Sequence, residues 1–198
     1  MNSELNELFN RHSKWLKTAG RRGRQLTLDK IASEQLTDGQ LLLLTDSFLT
    51  ECSFKNIAPD GIDLYHTEIH SCKFDDSMFR GAQFVKSEIN YTEFTNTSFE
   101  NANFDNAEFY DCIFRKCVFI NSVLAGAGIW NSAFKECVFK NIDFDSIYID
   151  NAIFENCRFI NPSNPEKAVK LKLNIGTTDN PIPLSRENSI KLIKTETV

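Results

Sequence analysis

Ala102-Asn103-Phe104-Asp105-Asn106 is followed directly by Ala107-Glu108-Phe109-Tyr110-Asp111. Each is a small residue, a polar residue, a large apolar residue and two further positions. Followed outward in steps of five, the apolar position holds one register from Leu49 to Phe159, and only Pro59 in that row is not large and apolar. The row takes in fifteen of the seventeen phenylalanines, leaving out Phe9 and Phe48. The row two residues earlier, from Ser47 to Cys157, contains only Ser, Thr, Ala, Cys and Ile and holds all six cysteines. Self-similarity at a fixed period decides a fold before any local reading does.

A period of five fits neither a helix at 3.6 nor a flat strand at 2. A chain that turns one small and one large side chain inward in every five must bend regularly around an axis, as the side of a coil does. The two units quoted resemble the motif of the pentapeptide-repeat family. That resemblance covers about 115 of the 198 residues. It implies an all-β solenoid, a right-handed quadrilateral β-helix with four repeats in each coil. Sorting the apolar residues at intervals of twenty supports the same period. One column reads Phe54, Phe74, Phe94, Phe114, Phe134 and Phe154. Another reads Leu49, Ile69, Ile89, Phe109, Ile129 and Ile149, and every Ile in the row falls in it. Stacked side chains need matching shapes, so pure columns are what a four-sided coil predicts. About six coils at the spacing of paired strands give a rod on the order of 27 Å long.

Three regions follow: 1–25, a capping helix and basic linker; 26–161, the repeats; and 162–198, a C-terminal cap or dimerisation tail. Leu5, Leu8, Phe9, His12, Trp15 and Leu16 have helical spacing, which predicts an amphipathic helix over 3–17, capped by Asn2 or Ser3. A solenoid exposes an apolar cross-section at its end, so the helix is expected to lie over the first coil, with His12 and Trp15 part of the cap. Gly20 and Gly23 stop it within Arg21-Arg22-Gly23-Arg24. Leu26, Ile31, Leu36 and Leu41 keep the period in another phase, which reads as a degenerate first coil with a register shift near Leu42–Leu44. Beyond Pro162 and Pro165, Val169 to Ile175 alternate as a strand. Gly176 to Pro183 reads as a turn region, and Ser185 to Lys194 as a short helix or a second strand. The tail either caps the last coil or joins a second subunit, giving a homodimer through the C-terminal region.

A net charge of −5 and a pI of about 5.3 argue against direct nucleic-acid binding. No apolar run spans a membrane and no secretory leader is legible. Cys117, Cys137 and Cys157 share a column at a separation compatible with a disulfide, but inward free thiols in a reducing cytoplasm are the expectation. No phosphate loop, GxSxG or metal-ligand spacing occurs, so neither enzyme nor cofactor is expected. His66 and His70, with Asp63 and Glu68, are read as solvated.

Function is therefore sought on the outward positions. On the faces built on Leu64/Phe84/Phe104/Leu124/Phe144 and on Leu49 to Ile149, ten acids stand against Lys86 alone, a net of −9. The other two faces carry seven acids and eight bases. All four tyrosines and Trp130 lie on the acidic half. Exposed aromatics among acids, without lysines, have the composition of a binding hot spot. The candidate site is Tyr65, Tyr91, Tyr110, Trp130 and Tyr148 with Glu88, Glu108, Asp111 and Asp150. The competing reading is ordinary strand propensity and solubility. Asn101, Asn121, Asn141 and Asn161, one per coil, are read as a structural turn ladder. A non-catalytic protein-binding module is expected, its partner a cognate toxin or another protein. The resemblance implies an alternative: Qnr-like members protect DNA gyrase and topoisomerase IV by presenting an acidic, duplex-like rod. A structural scaffold is the third reading.

Overall fold

The computed structural model describes residues 3–195. It is a β-solenoid whose strands are mostly three residues long and pair in parallel with the strands one coil away, in register: Glu88↔Glu108, Ile89↔Phe109, Asn90↔Tyr110. The first face is built on Leu64 and its column, the second on Leu49, the third on Phe54 and the fourth on Phe79. Seven strands stack along the second face, from Thr27–Asp29 to Tyr148–Glu155, and the third face joins them in one 14-stranded sheet. The fourth face forms a separate sheet of four strands, and the first face is held by isolated bridges such as Gln83↔Asn103.

The period of five has a local cause. Every fifth residue from Asp46 to Asn161 has a left-handed backbone, with φ between +49° and +65°. That residue makes the corner between two short strands. Ten of these corners are asparagine and three are glycine, the types that bear this conformation at least cost. Asn141 donates to Asn121 at 2.8 Å and Asn161 to Asn141 at 3.2 Å, so the ladder read from the sequence is a structural one.

The core is a lattice of phenylalanines. Along the third face, neighbouring rings stack at 4.8, 4.9, 4.8, 4.6 and 4.8 Å between centroids. Rings of adjacent faces meet edge to face, as Phe94 and Phe99 do at 5.5 Å and 69°. Both are favoured ring geometries. The small-residue row does more than leave room. Ser87 Oγ donates to Leu64 O, Thr97 Oγ1 to Phe74 O and Cys112 Sγ to Ile89 O, each a carbonyl of the coil before. This accounts for Ser, Thr and Cys there: each is small and carries a donor. All six thiols are free, and burial pushes Cys112 up to about 12.

Both ends are covered. Helix α1, Ser3–Lys17, buries Leu5, Phe9 and His12. Asn2, the alternative cap, lies outside the described residues. His12 Nε2 bonds Thr45 O at 2.9 Å, while its Nδ1 accepts from Leu26 N at 3.1 Å. The ring is thereby fixed as the neutral Nε2–H form, and burial lowers its pKa. In the first coil, Leu28 rather than Leu26 sits opposite Leu49. Leu26 and Ile31 provide the carbonyls for Phe48 N and Ser53 N, the role the small-residue row has elsewhere. Helix α2, Asp38–Leu41, and the turn after it absorb the extra residue, and Leu44 is back in the register.

At the other end, strand Lys170–Thr177 pairs in parallel with Tyr148–Glu155 and continues the second face. The segment read as a turn region instead contains an edge strand, Asn180–Pro183, antiparallel to it. Pro181 and Pro183 are tolerated because an edge needs few donors. Ser185 caps helix α3, Arg186–Lys194, whose Ile193 is fully buried. The tail thus packs on the last coil, with Leu171, Leu173 and Ile193 in the core.

Candidate functional site

The parallel register of the second face sets its outward side chains in two rows. One runs Phe48, Glu68, Glu88, Glu108, Gly128, Tyr148 and Lys170; the other Thr50, His70, Asn90, Tyr110, Trp130, Asp150 and Lys172. Tyr110 and Trp130 stack with centroids 4.5 Å apart and 9° between planes, and Tyr148 lies 5.2 Å beyond Trp130. The indole does not stand off the sheet. It lies across Gly128, where an added Cβ would overlap the ring. Glycine in a strand interior weakens it and marks close approach of another group. Here that group is the indole, which folds down along its own strand, so the three rings form a stack from coil to coil along the rod and are half-buried.

Acids border this platform. Tyr110 Oη donates to Glu108 Oε2 at 3.0 Å, and burial followed by Glu108 raises the phenol pKa. Glu88 sits one coil before Glu108, and Glu68 one before that. Asp111 and Tyr91 are successive corners beside the platform, with Tyr91 58% exposed and its ring 5.4 Å from His70. Tyr65 belongs to the first face, with Lys86 Nζ 5.9 Å from its ring. The structure thus brings together Tyr110, Trp130, Tyr148, Glu88, Glu108, Asp111 and Asp150. Tyr91 flanks them, and Tyr65 stands apart.

Lysines of the first coil and of the tail change the charge at both ends. Lys170 Nζ reaches Asp150 Oδ2 at 2.6 Å and Tyr148 Oη at 3.2 Å, and Asp150 then Tyr148 hold its ammonium above the usual range. Lys172 lies 4.0 Å from Asp150, Lys167 3.7 Å from Asp145, and Lys30 3.8 Å from Glu51. Asp63 and Asp143 accept from the backbone N–H of Tyr65 and Asp145, so these two acids hold turns. The unpaired acidity is concentrated in the middle coils, around Glu68, Glu88, Asp105 and Asp111. Gly128, Lys170 and Lys172 escaped the sequence reading. Gly128 carried a signal, a glycine two residues before the only tryptophan of the repeats.

His66 bonds Asp46 at 2.8 Å and His70 bonds Ser71 at 3.0 Å, so the two histidines serve different neighbours. Among the described residues, no group of three or more His, Cys, Asp or Glu is placed to hold a metal, and no helix is long and apolar enough to cross a membrane.

Residues 77–115 and 102–141 match the family of pentapeptide repeats, with eight copies. Curated proteins provide no match. Among solved structures, the chain is similar to full-length QnrB1, a plasmid-mediated fluoroquinolone resistance protein, at 13% identity and TM-score 0.38, over 78% of this chain and 93% of that one. HetL, involved in heterocyst differentiation regulation in the cyanobacterium Nostoc sp., is similar at 13% identity and TM-score 0.37, over 80% and 81%. Rfr23 of the cyanobacterium Cyanothece is similar at 12% identity and TM-score 0.33, over 67% and 84%.

Proposed function

The chain is a pentapeptide-repeat protein, and from that premise we propose that it is a non-catalytic module binding a partner protein through the second face. One observation carries the reading: a platform of Tyr110, Trp130 and Tyr148 stacked from coil to coil, its indole lying over Gly128 and acids beside it. Partly exposed Tyr and Trp with few rotamers are typical anchors of protein interfaces. The acids select a basic partner surface and speed encounter. The six free thiols support a reducing, cytoplasmic setting.

The duplex-mimicking alternative draws on the row Glu68, Glu88 and Glu108. That row spans only about 10 Å at strand spacing, short of one helical turn of DNA. Beyond it the face turns aromatic and ends in Lys170 and Lys172. The aromatic platform is therefore the stronger basis.

Immobilised wild type and a Tyr110→Ala/Trp130→Ala variant, exposed to one bacterial lysate, test the proposal. A protein retained by the wild type and lost with the variant supports it. Identical capture by both contradicts it. Capture of gyrase or topoisomerase subunits that survives the variant and vanishes in salt favours the duplex mimic.

A further inference from the structure

The average charge conceals a second charged surface. Residues 3–25 hold Arg11, Lys14, Lys17, Arg21, Arg22 and Arg24 against Glu4 and Glu7. All six bases are exposed. Among the described residues only Arg11 of the six is in an ion pair, with Glu7 at 2.9 Å. Lys14 and Lys17 lie in the last turn of α1, where cations complement the helix dipole. That explanation does not extend to Arg21, Arg22 and Arg24, which come after the helix.

The three arginines are held there by an ordered loop that folds back on α1. Gly20 N donates to Trp15 O at 2.9 Å, and Arg24 N to Arg11 O at 3.2 Å. Arg22 N donates to Thr18 Oγ1, and that hydroxyl lies 3.0 Å from Arg22 O. Gly23 has a φ of +86°, and a Cβ there would clash with Arg11 O and Trp15 N, so only glycine permits this approach. The loop and helix enclose an open cleft of about 480 Å³, lined by Glu7, Asn10, Arg11, Lys14, Gly23 and Arg24. Arg11, Lys14 and Arg24 thus share one cleft with Glu7, and Lys17, Arg21 and Arg22 stand on the adjoining helix end and loop. An extended linker would keep them apart, so the fold works against their mutual repulsion.

We infer that this N-terminal cap is a binding surface for the phosphate backbone of a nucleic acid. Phosphate contacts need only Lys, Arg and backbone donors. A protein interface would need a desolvated apolar or aromatic centre. Here Leu5 and Phe9 face the core, and the half-buried Trp15 ring is covered by His12, stacked 5.9 Å away, and by the backbone of Gly20. The apolar side chains of the helix turn toward the first coil rather than toward the arginines, which disfavours insertion into a lipid interface. The surface is separate from the aromatic platform, so the inference stands independently of the proposed partner.

Fluorescence anisotropy of a labelled 20-base-pair duplex with the full chain tests it, with salt varied from about 50 to 200 mM. Each phosphate contacted contributes a slope of about −0.9 in log K against log salt. Binding is expected with a slope corresponding to roughly three to five contacts. R21Q/R22Q/R24Q should weaken it at least about tenfold and flatten the slope. The corresponding triple lysine variant should restore it, because the charges are kept and the only side-chain bond of the three among the described residues, Arg21 Nε to Thr18 O at 3.2 Å, serves the loop rather than the phosphate. Circular dichroism of both variants controls for folding. Absence of duplex binding at the lowest salt overturns the inference. So does binding that R21Q/R22Q/R24Q leaves unchanged, or tighter binding to phosphatidylserine vesicles than to the duplex.

Discussion

Tyr91 is the residue at which the two demands on this chain meet. It occupies a corner with φ +52° that Asn or Gly fills in most other repeats, and the residue is 58% exposed. A non-glycine residue in this conformation costs about 1 kcal/mol or more, and asparagine bears it more readily. Tyr91→Asn should therefore stabilise the rod by about 0.5–1 kcal/mol in denaturant unfolding, while weakening partner capture. A variant that is less stable would show that the ring packs rather than strains. The thiols make a second prediction at this scale. All six thiols donate to carbonyls, Cys157 to Phe134 O at 3.3 Å, but Cys157 is half-buried whereas the other five are buried. A thiol reagent should modify Cys157 first and the rest only on unfolding. Simultaneous modification of all six in the native state would contradict the packing described.

Single elements fail in different ways. Phe114 is fully buried between Phe94 and Phe134 and touches Phe109 and Phe119 by their edges. Phe114→Ala should cost about 3–5 kcal/mol, measured by equilibrium unfolding, because fixed coils on both sides cannot collapse into the void. Helix α1 answers to pH instead. His12 is buried and neutral, with Thr45 O and Leu26 N as its ring partners, the Trp15 ring stacked 5.9 Å away and Asp46 the charge that acts on it. Its folded pKa is below the usual 6.5. The unfolded cap therefore takes up a proton first as pH falls. The stabilisation is complete above about 6.5 and declines below it. Trp15 fluorescence in a Trp130→Phe background should report loosening of the cap with a midpoint below 6.5, and His12→Gln should flatten the response. The helix over 3–17 was legible because its apolar spacing is undiluted. The edge strand at Asn180–Pro183 was not, because two prolines in four residues carry the marks of a turn and only pairing to Lys170–Thr177 makes a strand of them.

At the scale of the molecule, the solenoid was written in the sequence almost completely. Coil pairing in identical register turns a linear period into columns, and the columns of Phe and Ile are legible in the sequence itself. The candidate site was legible only within the repeats. Tyr110 and Trp130 could be placed side by side because twenty residues separate them. Lys170 and Lys172 could not be placed beside Asp150, because their register depends on a bulged strand 21–22 residues on, beyond the last repeat. Arg24 likewise meets Arg11 only through the fold-back at Gly23. The molecule that results is divided by charge, with a basic cap, an acidic middle and an aromatic platform near the last coils. The central claim is that the platform anchors a partner. Its most direct test is the affinity of a partner captured by the wild type, measured by calorimetry at about 50 and 300 mM salt. Wild type would be compared with Tyr110→Ala/Trp130→Ala and with a third-face control, Lys73→Ala/Arg115→Ala. The account predicts a loss of about thirtyfold or more for the aromatic variant at both salt concentrations, with the control unchanged. Equal affinities for wild type and aromatic variant, or a loss confined to the third-face control, would contradict it.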